Sequence, residues 1–227
     1  MAGFVAAHLG SLGTIVVASE PDIVTFLGPQ RQFTARVETW QSTKSRNVVL
    51  QQYEYTCGAA SLATILRYYY DDPISEQRIL QAALGGLNDK EAKDREENGL
   101  SMEDLSRGAS KLKYSAAVLK TTYGKLNKLP IPVVVRLIKD DFKHFVVYRG
   151  ELDGYVFVAD PIRGNVRMPR QQFLEQWDGH LLAVVKPGQK PRTDHPLQVP
   201  EDQLVTPENL AARRSLFDQT PALRPPR

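Results

Sequence analysis

An α+β fold is what this sequence predicts, with a helical first half packed on a mainly antiparallel sheet. Three observations carry the prediction. Residues 57–112 hold three segments with helical period or helix caps. From residue 114 onward the chain turns to short runs of valine, isoleucine and aromatics separated by Gly, Pro and Asp. The runs follow the helices instead of alternating with them, which is the order of an α+β domain.

The elements follow in chain order. Residues 1–47 read as an N-terminal arm. Phe4 to Val17 is apolar and small, and Val17, Ala18 and Ser19 offer a cleavage site, so residues 1–19 read as a signal peptide. The first basic residue is Arg31, so the positive start of such a signal is missing, and a loosely packed arm is the alternative. Phe33 to Trp40 alternates loosely and predicts a short strand.

The domain proper spans residues 48–187. In CGAASLATILRYYY the residues Ala59, Leu62, Ala63, Leu66 and Tyr70 recur at three and four, one face of a helix that starts at Cys57 and stops before Asp71. Ser75 caps a second helix to Leu84, with Gly85 and Gly86 as its stop. Asn88 to Asn98 reads as a charged surface loop, and Ser101 with Asp104 forms a capping box that opens a third helix toward Leu112. Strands are predicted over Tyr114–Leu119, Ile131–Ile138, His144–Arg149, Tyr155–Ala159 and Leu181–Val185, with a short helix over Pro169–Trp177. Eight of the fifteen prolines lie between Pro187 and Pro226, so residues 188–227 read as a solvated tail with a short helix from Thr206 to Phe217.

Composition excludes several functions. A net charge of +3 on 227 residues, with both signs interspersed, argues against nucleic-acid binding. No stretch reaches the ~20 apolar residues of a membrane span. One cysteine allows no internal disulfide, and with four scattered histidines it completes no closed zinc site, so no metal or other cofactor is expected. Without a disulfide framework the compartment stays open between periplasm, favoured by the N-terminal segment, and cytoplasm.

That single cysteine is either core filler or reactive. At a helix N-terminus the unpaired N–H groups and the macrodipole favour a thiolate, and Cys57 is so placed, with Gly58 expected to leave an open approach to the sulfur. The runs HFVVYRG and YVFVAD flank Glu151-Leu152-Asp153-Gly154 and should pair as a hairpin. A turn centred between Leu152 and Asp153 sets His144 opposite Asp160 to within one residue of register, close enough for a carboxylate to orient the imidazole. A surface ion pair at a hairpin end is the alternative. Gln51, six residues before Cys57, offers an amide to an oxyanion alongside the Cys57 N–H, and Gln52 competes on spacing alone. His8, His180 and His195 read as bland, the first and last in flexible ends.

Gln51 at six residues from Cys57-Gly58, Ala60 and Leu62 behind them, Gly99-Leu100-Ser101, His144-Phe145-Val146-Val147, and Asp160-Pro161 with Gly164 together resemble the C39 peptidases. These are papain-like domains best known in bacterial exporters that cut leader peptides after a double glycine. The resemblance implies a papain-like fold, Cys57 as nucleophile, His144 as base, Asp160 as orienting carboxylate, and Gln51 over Gln52 as oxyanion donor. It departs at Thr56, where exporter domains usually carry aspartate, and no membrane or nucleotide-binding segment follows, so this looks like a stand-alone member. The resemblance further implies a polypeptide partner, either a secreted or amyloid-forming protein or its export machinery. A non-catalytic docking module and an acyltransferase are the rival readings.

Overall fold

The computed structural model describes residues 6–9, 14–20, 23–27, 32–36, 44–140 and 142–199, and it divides into two units, residues 1–46 and 47–227. In the first unit the described residues form a four-stranded antiparallel meander of β1 (Ala6–Leu9), β2 (Thr14–Glu20), β3 (Ile23–Leu27) and β4 (Gln32–Arg36). Within the segment that the sequence reads as an N-terminal arm, Val16 faces Phe26 and Phe26 faces Phe33 across the ladder. His8 falls in β1.

The second unit is helices on a six-stranded antiparallel sheet. Its elements are α1 (Cys57–Tyr68), α2 (Glu76–Leu84), α3 (Asp89–Asn98), α4 (Met102–Lys111), β5 (Ser115–Lys120), α5 (Tyr123–Leu126), β6 (Val133–Lys139), β7 (Phe142–Leu152), β8 (Tyr155–Asp160), β9 (Gly164–Pro169), α6 (Arg170–Gln176) and β10 (Trp177–Val185). The strand order is β5-β10-β6-β7-β8-β9. Both faces of the sheet are covered, and this explains why β6, β7 and β8 read as nearly continuous apolar runs. Val134, Val147, Ala159 and Leu182 pack with α1, α2 and α4 on one face. Val133, Val135, Val146, Val158 and Leu181 pack with Leu126, Phe173 and Trp177 on the other.

Helix α1 is the centre of the first layer. Every residue from Cys57 to Leu66 is buried, so the amphipathic face read from spacing understates its burial. The Ser61 hydroxyl donates to Phe145 O at 3.0 Å, pinning the helix to β7, and just past the helix end the Tyr70 hydroxyl donates to Val184 O of β10 at 2.8 Å. Gly58 serves packing more than access: a Cβ there would meet Leu105 Cδ1 at 2.8 Å and Phe145 Cδ2 at 3.2 Å.

Several expectations need correction. The charged run expected as a loop is α3, started by an Asn88–Glu91 capping box that a search for apolar period cannot see. Pro169 is the N-cap of α6 instead of its first residue, and β9 and α5 are additional elements. The tail does not leave the domain at residue 188. Arg192 N–H donates to the Tyr69 hydroxyl at 2.9 Å, Arg149 donates to Leu197 O at 2.9 Å, and Leu197 is fully buried. His195, expected in a flexible end, packs edge-on against Tyr69 with centroids 4.7 Å apart. The strand expected through Trp40 is β4 as far as Arg36, and both its remainder and the Thr206–Phe217 helix lie outside the described residues.

Candidate active site

Cys57 is the first residue of α1, 7% exposed, at the edge of a cavity of about 390 Å³ that Tyr55, Gly99, Leu100, Phe142 and Phe145 also line. Beside it β7 presents His144. The hairpin that carries His144 and Asp160 differs in register from the sequence reading. Its turn is Asp153-Gly154, both at positive φ (50° and 77°), so Leu152 faces Tyr155. A bulge between Tyr148 and Gly150 then shifts the ladder, and Val147 faces Ala159. Continued one step, this places Asp160 level with Val146 and makes His144 its diagonal neighbour on the same face. The contact forms all the same, His144 Nε2 to Asp160 Oδ1 at 3.0 Å.

Asp160 is wholly buried and heavily bonded. Oδ1 also accepts from Ile162 N at 2.8 Å and Arg163 N at 3.1 Å, and Oδ2 accepts from Arg163 Nε at 2.6 Å. Burial alone would raise its pKa, but the His144 hydrogen bond and charge, the Ile162 N–H and the Arg163 guanidinium outweigh it and hold the carboxyl well below the ordinary carboxylate range. On His144 burial acts downward, and the Asp160 hydrogen bond, the Cys57 side chain and the Asp160 charge together lift the imidazole from 6.5 to about 9.

With Nε2 taken by Asp160, Nδ1 is the ring nitrogen left for the thiol. It is buried and has no hydrogen-bond partner. Phe142 lies near the imidazole, the ring centroids 6.2 Å apart and the planes 25° from parallel.

Gln51 lies in the loop entering α1, fixed by its N–H to Pro161 O at 3.0 Å, which ties this loop to the turn after Asp160. Its Nε2 donates to Tyr53 O at 2.8 Å and Glu54 O at 3.2 Å, while Oε1 is buried without a partner. Gln52 points elsewhere: its side chain accepts from Gln77 and its N–H donates to Glu76 Oε1 at 3.3 Å. One residue of this neighbourhood, Arg163, was not legible beforehand, and Thr56 was marked only as a departure from the exporter domains. An arginine three residues after an aspartate across a Pro-containing turn is the signal that would have marked Arg163. Among the described residues no three His, Cys, Asp or Glu side chains gather as metal ligands, and no helix is long and apolar enough to cross a membrane.

His180 lies on β10, its Nδ1 within 3.0 Å of both Asp178 Oδ2 and Arg136 Nη2, and takes no part in the Cys57 cluster.

Comparison with known proteins gives the same assignment from an independent side. The model of the peptidase C39 family matches residues 45–189. A probable functional amyloid protease, FapD, of Pseudomonas aeruginosa is 32% identical over 181 residues, 80% of this chain and 75% of that protein. Its counterpart in Pseudomonas fluorescens is 33% identical over 153 residues, 67% of this chain and 66% of that one. Among solved structures, a double glycine motif protease from an AMS/PCAT transporter, in complex with the leader peptide, superposes with a TM-score of 0.52 at 25% identity, over 63% of this chain and 96% of that one. A cysteine at a helix start with a carboxylate-oriented histidine beside it, in a domain of this topology and sequence, makes the chain a member of the peptidase C39 family, a cysteine peptidase.

Proposed function

We propose that Cys57, His144 and Asp160 act as the triad of this peptidase, with Gln51 and the Cys57 N–H as oxyanion donors, on a peptide bond of a secreted or exported polypeptide. One observation carries the reading: His144 has one nitrogen on a buried, ionised Asp160 and the other free beside a cysteine at a helix start. In that arrangement Asp160 fixes the tautomer and orientation of the ring and stabilises the imidazolium that pairs with a thiolate.

The thiolate attacks the scissile carbonyl carbon, the carbon–sulfur bond forms, and the π electrons move to oxygen. That oxygen meets the Cys57 N–H and the second N–H of Gln51. The latter now points to Glu54 O at 3.2 Å, a neutral acceptor that an anionic oxygen outcompetes. Collapse breaks the carbon–nitrogen bond as the His144 imidazolium passes its proton to the leaving amine. Water, deprotonated by the neutral ring, then attacks the thioester and releases the acid.

The kinship with a functional amyloid protease and with a leader-peptide protease supports a substrate among exported or amyloid-forming polypeptides, and the apolar N-terminal segment of the sequence is what leads us to propose the periplasm as the compartment. Iodoacetamide tests the centre of the reading. Wild-type Cys57 is expected to alkylate at neutral pH at least about tenfold faster than a free thiol, and His144→Ala to lose that advantage. Equal rates in the two proteins would refute the triad.

A further inference from the structure

One backbone oxygen holds the loop between Gln51 and Cys57 together. Tyr53 O accepts from Gln51 Nε2 at 2.8 Å, from the Thr56 hydroxyl at 2.8 Å and from Thr56 N at 3.2 Å. The Thr56 hydroxyl in turn accepts from Tyr53 N at 3.3 Å. Thr56 is fully buried, so its hydroxyl needs these bonds to be tolerated at all.

Thr56 is also the N-cap of α1, and it does not cap. Ser75, Asn88 and Ser101 each accept a backbone N–H of the helix they begin, whereas the Thr56 hydroxyl makes no such bond. It is turned back into the loop, so the first-turn N–H groups of α1, Cys57 among them, are not taken up by a side chain.

We propose that Thr56 is the positioning residue of the oxyanion hole, acting through Tyr53 O on the Gln51 carboxamide and by leaving the start of α1 uncapped. The proposal rests on the reading of Gln51 as oxyanion donor. Its physical basis is the state of the Gln51 amide: Oε1 has no partner, so the plane of the group is set by its Nε2 bonds alone. The shorter of those ends on Tyr53 O, and the direction of that carbonyl is set by the two donors of Thr56. Threonine is suited to this because it donates and accepts at one atom. A valine keeps the shape, loses both hydroxyl bonds and leaves Tyr53 N unpaired.

The test uses benzyloxycarbonylglycine p-nitrophenyl ester as an unselective acyl donor, with turnover lost in Cys57→Ala as the control. Thr56→Val is expected to lower kcat about tenfold with KM within about twofold of wild type, since a misplaced donor loses part of what a missing one loses. Thr56→Ser restores it. Alkylation of Cys57 by iodoacetamide, which needs the thiolate and no oxyanion hole, stays at the wild-type rate. In a Gln51→Ala background Thr56→Val has no further effect on kcat. If Gln51→Ala leaves kcat unchanged, the donor reading fails and this proposal falls with it. If Gln51→Ala is impaired, the proposal alone is overturned by a wild-type kcat in Thr56→Val, by an undiminished Thr56→Val effect in the Gln51→Ala background, or by equal loss of alkylation and turnover. Should valine unfold the chain, Thr56→Ala is judged by the same rates.

Discussion

Asp160 accepts four hydrogen bonds where orientation of a histidine requires one. Three meet at Oδ1, and the arginine that shares Oδ2, Arg163, is half exposed while the carboxylate is not exposed at all. A buried carboxylate is costly unless its charge is met, and a cation plus two backbone donors meet it here without depending on whether His144 is protonated. In the proposed triad the ionised Asp160 is therefore available through the whole cycle. Its depressed pKa contributes stability that is complete above the ordinary 3.8 and is lost only as pH falls through the lower folded value. The raised pKa of His144 contributes stability that is complete below 6.5 and is lost as pH rises through about 9. Activity that needs the imidazolium is expected to decline on the alkaline side near that same value. In Asp160→Asn, kcat/KM falls by about tenfold or more and its alkaline limb moves down toward 6.5, because the charge that sustained the imidazolium is gone. A pH profile of kcat/KM for both proteins checks this, and an unmoved limb would contradict the role given to the carboxylate.

Capping decides the helices that border the cleft, and burial decides the one beneath it. No residue of α3 is buried. The helix exists through its Asn88–Glu91 box, a Lys93–Glu97 pair at 3.9 Å and the bond from Asn98 to Asp94 at 2.8 Å, which are all local. Its one deep anchor is Arg95, whose Nε reaches the buried Asp104 at 2.5 Å. Asp104 closes the capping box of α4 with Ser101 and also receives Arg107 at 2.6 Å, so one carboxylate joins α3, α4 and the Gly99-Leu100 wall of the cavity. Ser101→Ala is expected to cost about 1 to 2 kcal/mol, read from the midpoint of urea unfolding at unchanged slope. Stability equal to wild type would mean that the two arginines alone hold this junction.

At the scale of the molecule, a sheet with both faces covered is the frame that brings the Cys57 helix onto the His144 strand. Its second layer is completed by Phe173 and Trp177 and its first by Leu197, a residue beyond the last strand. The strap from Arg192 to Gln198 is bonded to Tyr69, to Arg149 and, through Pro196 O, to Asn47 Nδ2 at 3.1 Å. It closes the first layer beside Asn47, at the start of this unit. Leu197→Ala is expected to destabilise the fold by about 2 to 4 kcal/mol in guanidinium unfolding, the cost of a large-to-small change at a fully buried site. A loss below about 1 kcal/mol would show the strap to be dispensable.

The order of helices and strands, the caps at Ser75 and Ser101, and the position of Cys57 at a helix start were legible in the sequence, since each depends on residues within one or two turns of each other. The hairpin was legible as a pair of strands and misread in register, because the Asp153-Gly154 turn and the Tyr148–Gly150 bulge displace it in ways that alternation does not encode. Tertiary structure alone decided that His144 meets Asp160 on the diagonal, that Arg163 shares the carboxylate, and that Thr56 and Gln51 meet at one carbonyl. Those relations join segments whose mutual placement is the outcome of the whole packed core, where a shift of one residue in any strand would carry a side chain to the opposite face.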